Sequence, residues 1–216
     1  MGTVVLDGHF ILRMISSAAI GVTMYQFSNM FSKIDKDSQT KNDEYRIKMI
    51  CCFGVLVSLT LAIYNIDIWV IGAMAMLCRQ CYEDFVSYEA YEIPLFTATC
   101  ICVIYTIASR NFCNLYWLLC GLVILLGFTK LFGRADTYGY IIALSLMSKN
   151  QVGMIFLILI SNIAAVVISI YKSKKNKEKL TKVKIALLPV IYLTAVIIFV
   201  AMILTRFDAS TSVVNI

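Results

Sequence analysis

Charge is scarce in this chain. Of its 216 residues, 15% are Asp, Glu, Lys or Arg, against 60% hydrophobic. A soluble domain carries roughly 25% charged residues, so this composition excludes an ordinary water-facing globule. Histidine is scarcer still: His9 is the single one. That removes a Ser-His-Asp or Cys-His nucleophile apparatus from consideration. Internal repeats and low-complexity linkers are also lacking. The apolar runs are long and unbroken, whereas the strands of a membrane β-barrel would alternate apolar and polar residues. The expected fold class is therefore an all-α polytopic membrane protein, a bundle of about eight transmembrane helices with room for a six-helix core.

The eight cysteines, Cys51, Cys52, Cys78, Cys81, Cys100, Cys102, Cys113 and Cys120, fall mostly inside those apolar runs, where Cys behaves as a small hydrophobe. Cys78 and Cys81 form a C-x-x-C, but a zinc site of that spacing needs a second pair. No metal and no cofactor are expected. The net charge of +6 does not point to nucleic acid. Much of it sits in one loop, 172–184, with Lys172, Lys174, Lys175, Lys177, Lys179, Lys182 and Lys184. Between two apolar segments such a loop is cytoplasmic by the positive-inside rule, and it can also touch anionic lipid head groups.

Apolar segments near the ~20 residues needed to span a bilayer fall at about 11–31, 48–65, 68–84, 93–109, 115–132, 137–149, 152–171 and 185–204. The first is weakened by Arg13, Ser16, Ser17 and Gln26 and lacks a good cleavage site for a signal peptide. The sixth is short for a span, and either includes the turn at Asp136 or sits partly inside the bundle. One domain, 1–216, is expected, with cytoplasmic loops at 32–47 and 172–184. Counting back from the lysine loop places the 149–152, 110–114 and 65–67 turns on the outer side. Asp136 and the Glu83–Glu92 stretch then share the cytoplasmic side.

Asp84 and Asp136 thus end two apolar runs on one face. A carboxylate at the centre of a membrane helix costs roughly 2.5–3.5 kcal/mol, less near an end, and still needs a reason. Two acids brought together cannot both ionise cheaply and share a proton. One then acts as base on a water while the other donates to a carbonyl oxygen, the equipment of an aspartic protease. Each can equally be a solvated helix end. Cys81 and Asp84 share a helix face, while Glu83 points about 100° away. One of Glu83 and Asp84 is therefore expected to face the bundle and the other the head groups. Asp67 reads as an outer interface residue. Gly133 and Ala135 are small residues just before Asp136, where glycine permits close approach of an extended substrate or simply stops a helix.

Three features resemble the type IV prepilin peptidases, prokaryotic G-x-G-D membrane aspartic proteases. Asp84, followed by Ser87 and Ile93-Pro94, resembles the family's first catalytic segment. Gly133-Arg134-Ala135-Asp136 is similar to G-x-G-D with Ala135 in place of the second glycine. Lys184-Ile185-Ala186-Leu187-Leu188-Pro189 resembles the entry to the final span. The resemblance implies catalytic Asp84 and Asp136, with Gly133, Ala135 and Ser87 at the substrate. It implies a multi-pass enzyme of a prokaryotic cytoplasmic membrane that cuts the short basic leader of a pilin-like precursor, typically after a glycine. Tyr138 stands where the family often has lysine. The stretch from Asp84 to Pro94 is longer than usual and lacks its common arginine. The cysteine-rich methyltransferase domain of larger members is absent between the first two helices, so the implied form is peptidase-only. Two other readings stand beside it: an ion-coupled transporter whose acids relay protons, and a catalytically inactive assembly protein of the same fold. Oligomeric state and the particular precursor are not legible.

Overall fold

A computed structural model describes residues 8–30, 41–63, 66–110, 112–129, 132–177 and 185–212. Among them are eight α-helices and no strand: α1 (Gly8–Asn29), α2 (Lys41–Ile63), α3 (Ile68–Ser87), α4 (Glu92–Ser109), α5 (Asn114–Phe128), α6 (Arg134–Leu146), α7 (Gln151–Asn176) and α8 (Leu187–Ser212). The expected loops are shorter than the sequence reading placed them. Residues 41–47 form the first turns of α2, and 172–176 continue α7. Residues 32–40 and 178–184 lie outside the described residues, as do Asn65, Asn111 and Lys130.

Three of the helices are long and apolar enough to cross a membrane: Phe10–Asn29, Glu92–Ser109 and Gln151–Asn176. Among the described residues that is fewer than the eight spans expected. Asn114–Phe128 is apolar but shorter, at 15 residues. Two others fall short for identifiable reasons. The last turns of α3 carry Arg79, Glu83 and Asp84. At about 1.5 Å per residue, the 13 residues of α6 reach only about 20 Å.

The short α6 is the centre of the molecule. It packs on α3, α4, α5, α7 and α8, and Gly139 to Leu146 are buried without a break. Seryl and tyrosyl hydroxyls stitch it to its neighbours. Tyr116 on α5 and Ser145 on α6 are 2.9 Å apart, and Tyr140 on α6 and Ser161 on α7 are 2.8 Å apart. Ser145 and Ser161 also donate to carbonyls one turn back in their own helices, so these buried polar groups are satisfied. The outward faces are apolar instead, with Ile104, Leu125, Ile163, Val167 and Ile197 all exposed.

Cross-contacts define the two ends of the bundle. At one end the Cys113 N–H donates to the Ser148 carbonyl at 3.1 Å, which joins the residue before α5 to the turn between α6 and α7. At the other, Lys172 Nζ donates to the Tyr88 hydroxyl at 3.0 Å, and Arg134 stands 3.7 Å from Glu92. That second end gathers the last turns of α3 and α7 and the first turns of α4, α6 and α8. Asp67 caps α3 from the opposite end by accepting the Trp69 N–H at 3.2 Å.

Glycine is used here for proximity, and helix stops use other residues. The three described residues with positive φ are Tyr88 (56°), Arg110 (51°) and Lys177 (55°), and no described glycine has one. Gly139 shows the other use. A Cβ there would lie 2.5 Å from Leu188 Cδ2 on α8 and 3.6 Å from Leu77 Cδ1 on α3. Overfilling a packed core costs about 1–3 kcal/mol. Gly139→Val should therefore lower the thermal unfolding midpoint in detergent, and pairing it with Leu188→Ala should recover part of the loss.

Candidate functional site

The candidate site lies where α3, α6 and α8 converge. Asp84 stands in the last turn of α3 and is 8% exposed. Its Oδ2 accepts the backbone N–H of Leu188 at 3.1 Å. The chain explains why that donor is available. The first N–H groups of a helix have no partner within it; Leu188 is the second residue of α8, and the next residue is Pro189, which offers no N–H. A carboxylate from another helix thus does the work of an N-cap, in the favourable field of a helix N-terminus.

Asp136 is the third residue of α6 and is half-buried. Its Oδ2 accepts the Gly133 N–H at 3.2 Å, which closes the α6 N-terminus on itself. A Cβ at Gly133 would lie 2.9 Å from that same oxygen, so a larger residue there would displace the Asp136 carboxylate. Burial, then the charge of Asp84, pushes Asp136 up to about 7, against the lowering effect of the Gly133 N–H. The two carboxylates are therefore electrostatic neighbours, and Cys81, one turn before Asp84, feels both charges. Two acids on separate helices, one raised toward neutrality, can share a proton and so pair a base with an acid near pH 7.

The remaining sequence-predicted residues take varied positions. Gly133 is exposed and Ala135 half-buried, both at the mouth beside Asp136. The Ser87 hydroxyl lies 2.8 Å from the Glu83 carbonyl and 3.0 Å from the Glu89 carbonyl, so it closes the end of α3. Glu83 and Asp84 were expected to face opposite ways, yet both are buried. Glu83 turns toward Arg79, with Nη2 to Oε1 at 2.8 Å, while Asp84 turns to α8. Asp67, read as an interface residue, is a helix cap. Tyr138 packs its ring edge-to-face on Phe96 at 6.0 Å. Among the described residues, no group of three or more His, Cys, Asp or Glu is arranged to hold a metal ion.

Sequence reasoning missed a polar cluster just behind Asp84. Arg79 and Gln80 are fully buried. Arg79 Nε donates to Asn29 Oδ1 at 3.0 Å, and its guanidinium lies 5.5 Å from the Tyr82 ring centre. Gln80 Nε2 donates to Ser28 Oγ at 2.8 Å, and Gln80 Oε1 accepts the Tyr91 N–H at 2.8 Å. The available clue was Arg79-Gln80 standing inside an otherwise apolar run.

No family model, curated protein or solved structure matches the chain.

Asp136 links the site to pH. Its folded pKa lies above its ordinary value of 3.8, so between about pH 4 and 7 the folded state holds a proton that the unfolded chain releases. Stability from this group is present at low pH and is lost as pH rises through that window. Asp136→Asn keeps an oxygen acceptor for Gly133 and removes the titration. Its unfolding midpoint relative to the parent should be higher at pH 8 than at pH 5.

Proposed function

We propose that this chain is a membrane-embedded aspartic endopeptidase of the prepilin-peptidase type, cutting the leader of a pilin-like precursor at the cytoplasmic face of a prokaryotic membrane. The observation that carries the reading is that Asp84 and Asp136, 52 positions apart in sequence, stand at one end of the helical bundle, near enough for the charge of Asp84 to raise Asp136. The chemistry follows from that pair. One carboxylate takes a proton from water as the oxygen attacks the scissile carbonyl, and the other protonates the carbonyl oxygen. No metal is needed for this step.

The same end of the bundle carries Lys172, Lys174, Lys175 and Lys177, which supports a cytoplasmic orientation under the positive-inside rule. The three candidate spans and the apolar outer faces support a multi-pass setting in lipid. In that setting α3 and α6 are inner helices, flanked by the candidate spans α1, α4 and α7. The precursor's apolar helix lies against the bundle, and the exposed Gly133 leaves room for its extended backbone.

A second reading has its own observation. Both carboxylates already accept a backbone N–H at a helix start, which is enough to retain them in an inactive assembly protein of the same fold. Separate Asp84→Asn and Asp136→Asn variants, each co-expressed with a pilin-like precursor, decide between the two. Loss of one acid or base costs roughly 10²–10⁴-fold, so leader removal followed by mobility shift should disappear in both variants. Processing that persists in either one removes the paired-acid mechanism. Failure of the parent chain to process any such precursor favours the assembly protein.

A further inference from the structure

Gln80 stands one helical turn before Asp84 and is fully buried. Its amide makes two hydrogen bonds of 2.8 Å in opposite directions, one to the Ser28 hydroxyl at the end of α1 and one from the Tyr91 N–H at the start of α4. Tyr91 terminates the non-helical stretch 88–91 that leaves the Asp84 turn. That stretch is tied at its other end as well. The Tyr88 N–H donates to the Asp84 carbonyl at 2.9 Å, and the Tyr88 hydroxyl accepts from Lys172. The chain therefore leaves α3 after Ser87 and is fastened again to α3 at Gln80.

We infer that Gln80 is a positioning residue of the site, its buried amide fixing the 88–91 connection and the end of α1 against the turn of α3 that bears Asp84. Asp84 itself reaches across to α8 for the Leu188 N–H, so its carboxylate is placed only as well as the last turn of α3 is placed. Without the amide, that turn has fewer fixed neighbours on the side facing α1 and α4. Catalytic geometry is sensitive to such shifts, since a misplacement of about 1 Å can cost roughly 10²-fold in rate. The kinetic part of this inference rests on the peptidase reading; the structural part does not.

Three variants of the full chain in lipid nanodiscs test it. Gln80→Met keeps the shape and removes both hydrogen bonds. Gln80→Glu keeps acceptors for the Tyr91 N–H and the Ser28 hydroxyl. Tyr91→Pro removes the donor at a residue whose φ of −75° already suits proline, leaving the buried amide in place; Tyr91→Ala controls for loss of the ring. Amide hydrogen exchange at Glu89 and Ala90 should accelerate at least tenfold in Gln80→Met and Tyr91→Pro, but stay near the parent in Gln80→Glu and Tyr91→Ala. With a synthetic pilin-like precursor, kcat should fall about tenfold or more at nearly constant KM in the first two and recover in Gln80→Glu. Unchanged exchange at 89–90 in Tyr91→Pro, or in a folded Gln80→Met, overturns the inference. Accelerated exchange with kcat unchanged overturns its kinetic part. A parent chain that cleaves nothing defeats the peptidase reading, and the exchange arm still decides the role of Gln80.

Discussion

The hydrogen bond from the Leu188 N–H to Asp84 holds the site end together. It unites the end of one helix with the beginning of another, 104 residues later. Each side needs the other. The start of α8 has a donor with no partner in its own helix, and Asp84 is an acid buried among apolar groups. Leaving a buried polar group unpaired costs about 1–3 kcal/mol, and more for a charged one. The convergence of α3 and α8 is therefore chemically specific, where apolar packing alone would leave their register loosely defined. Gly139 then lets α6 approach both, which carries Asp136 to the same place.

Around that bond the bundle is arranged inside out in polarity. Hydroxyl pairs such as Tyr140 with Ser161 lie within, while Ile104, Val167 and Ile197 lie outside. The ion pair of Arg79 and Glu83 is buried completely. Removing one member of such a pair strands a charge, at a cost of roughly 3–5 kcal/mol. Its value lies in orientation, because Arg79 also grips Asn29 and so aligns the end of α1 with α3.

Helix positions were legible from sequence to within a few residues for most elements, because runs near 20 apolar residues leave little choice. The boundaries that moved were charged ones. Residues 41–47 and 172–176 read as loops from their polarity, yet they extend α2 and α7 as helical turns. The shared end of Asp84 and Asp136 was legible too, because two helices, α4 and α5, run between them. The partner of Asp84 was not, since a backbone N–H carries no residue identity; Pro189 alone hinted that the α8 start is short of donors. Nor was the Gln80 cluster, whose members Ser28, Gln80 and Tyr91 sit on three elements and show no common spacing. Periodicity asked which of Glu83 and Asp84 faces inward, and failed because a helix surrounded by α1, α4, α6 and α8 has more than one inward side.

The non-glycine helix stops have a practical consequence. A left-handed backbone costs an ordinary residue about 1–2 kcal/mol relative to its preferred conformations, and this chain accepts that cost at Tyr88, Arg110 and Lys177. At Tyr88 the hydroxyl compensates by holding Lys172. Arg110→Gly and Lys177→Gly relieve that cost and are natural starting points for engineering a hardier preparation, with Asp84 and Asp136 left untouched.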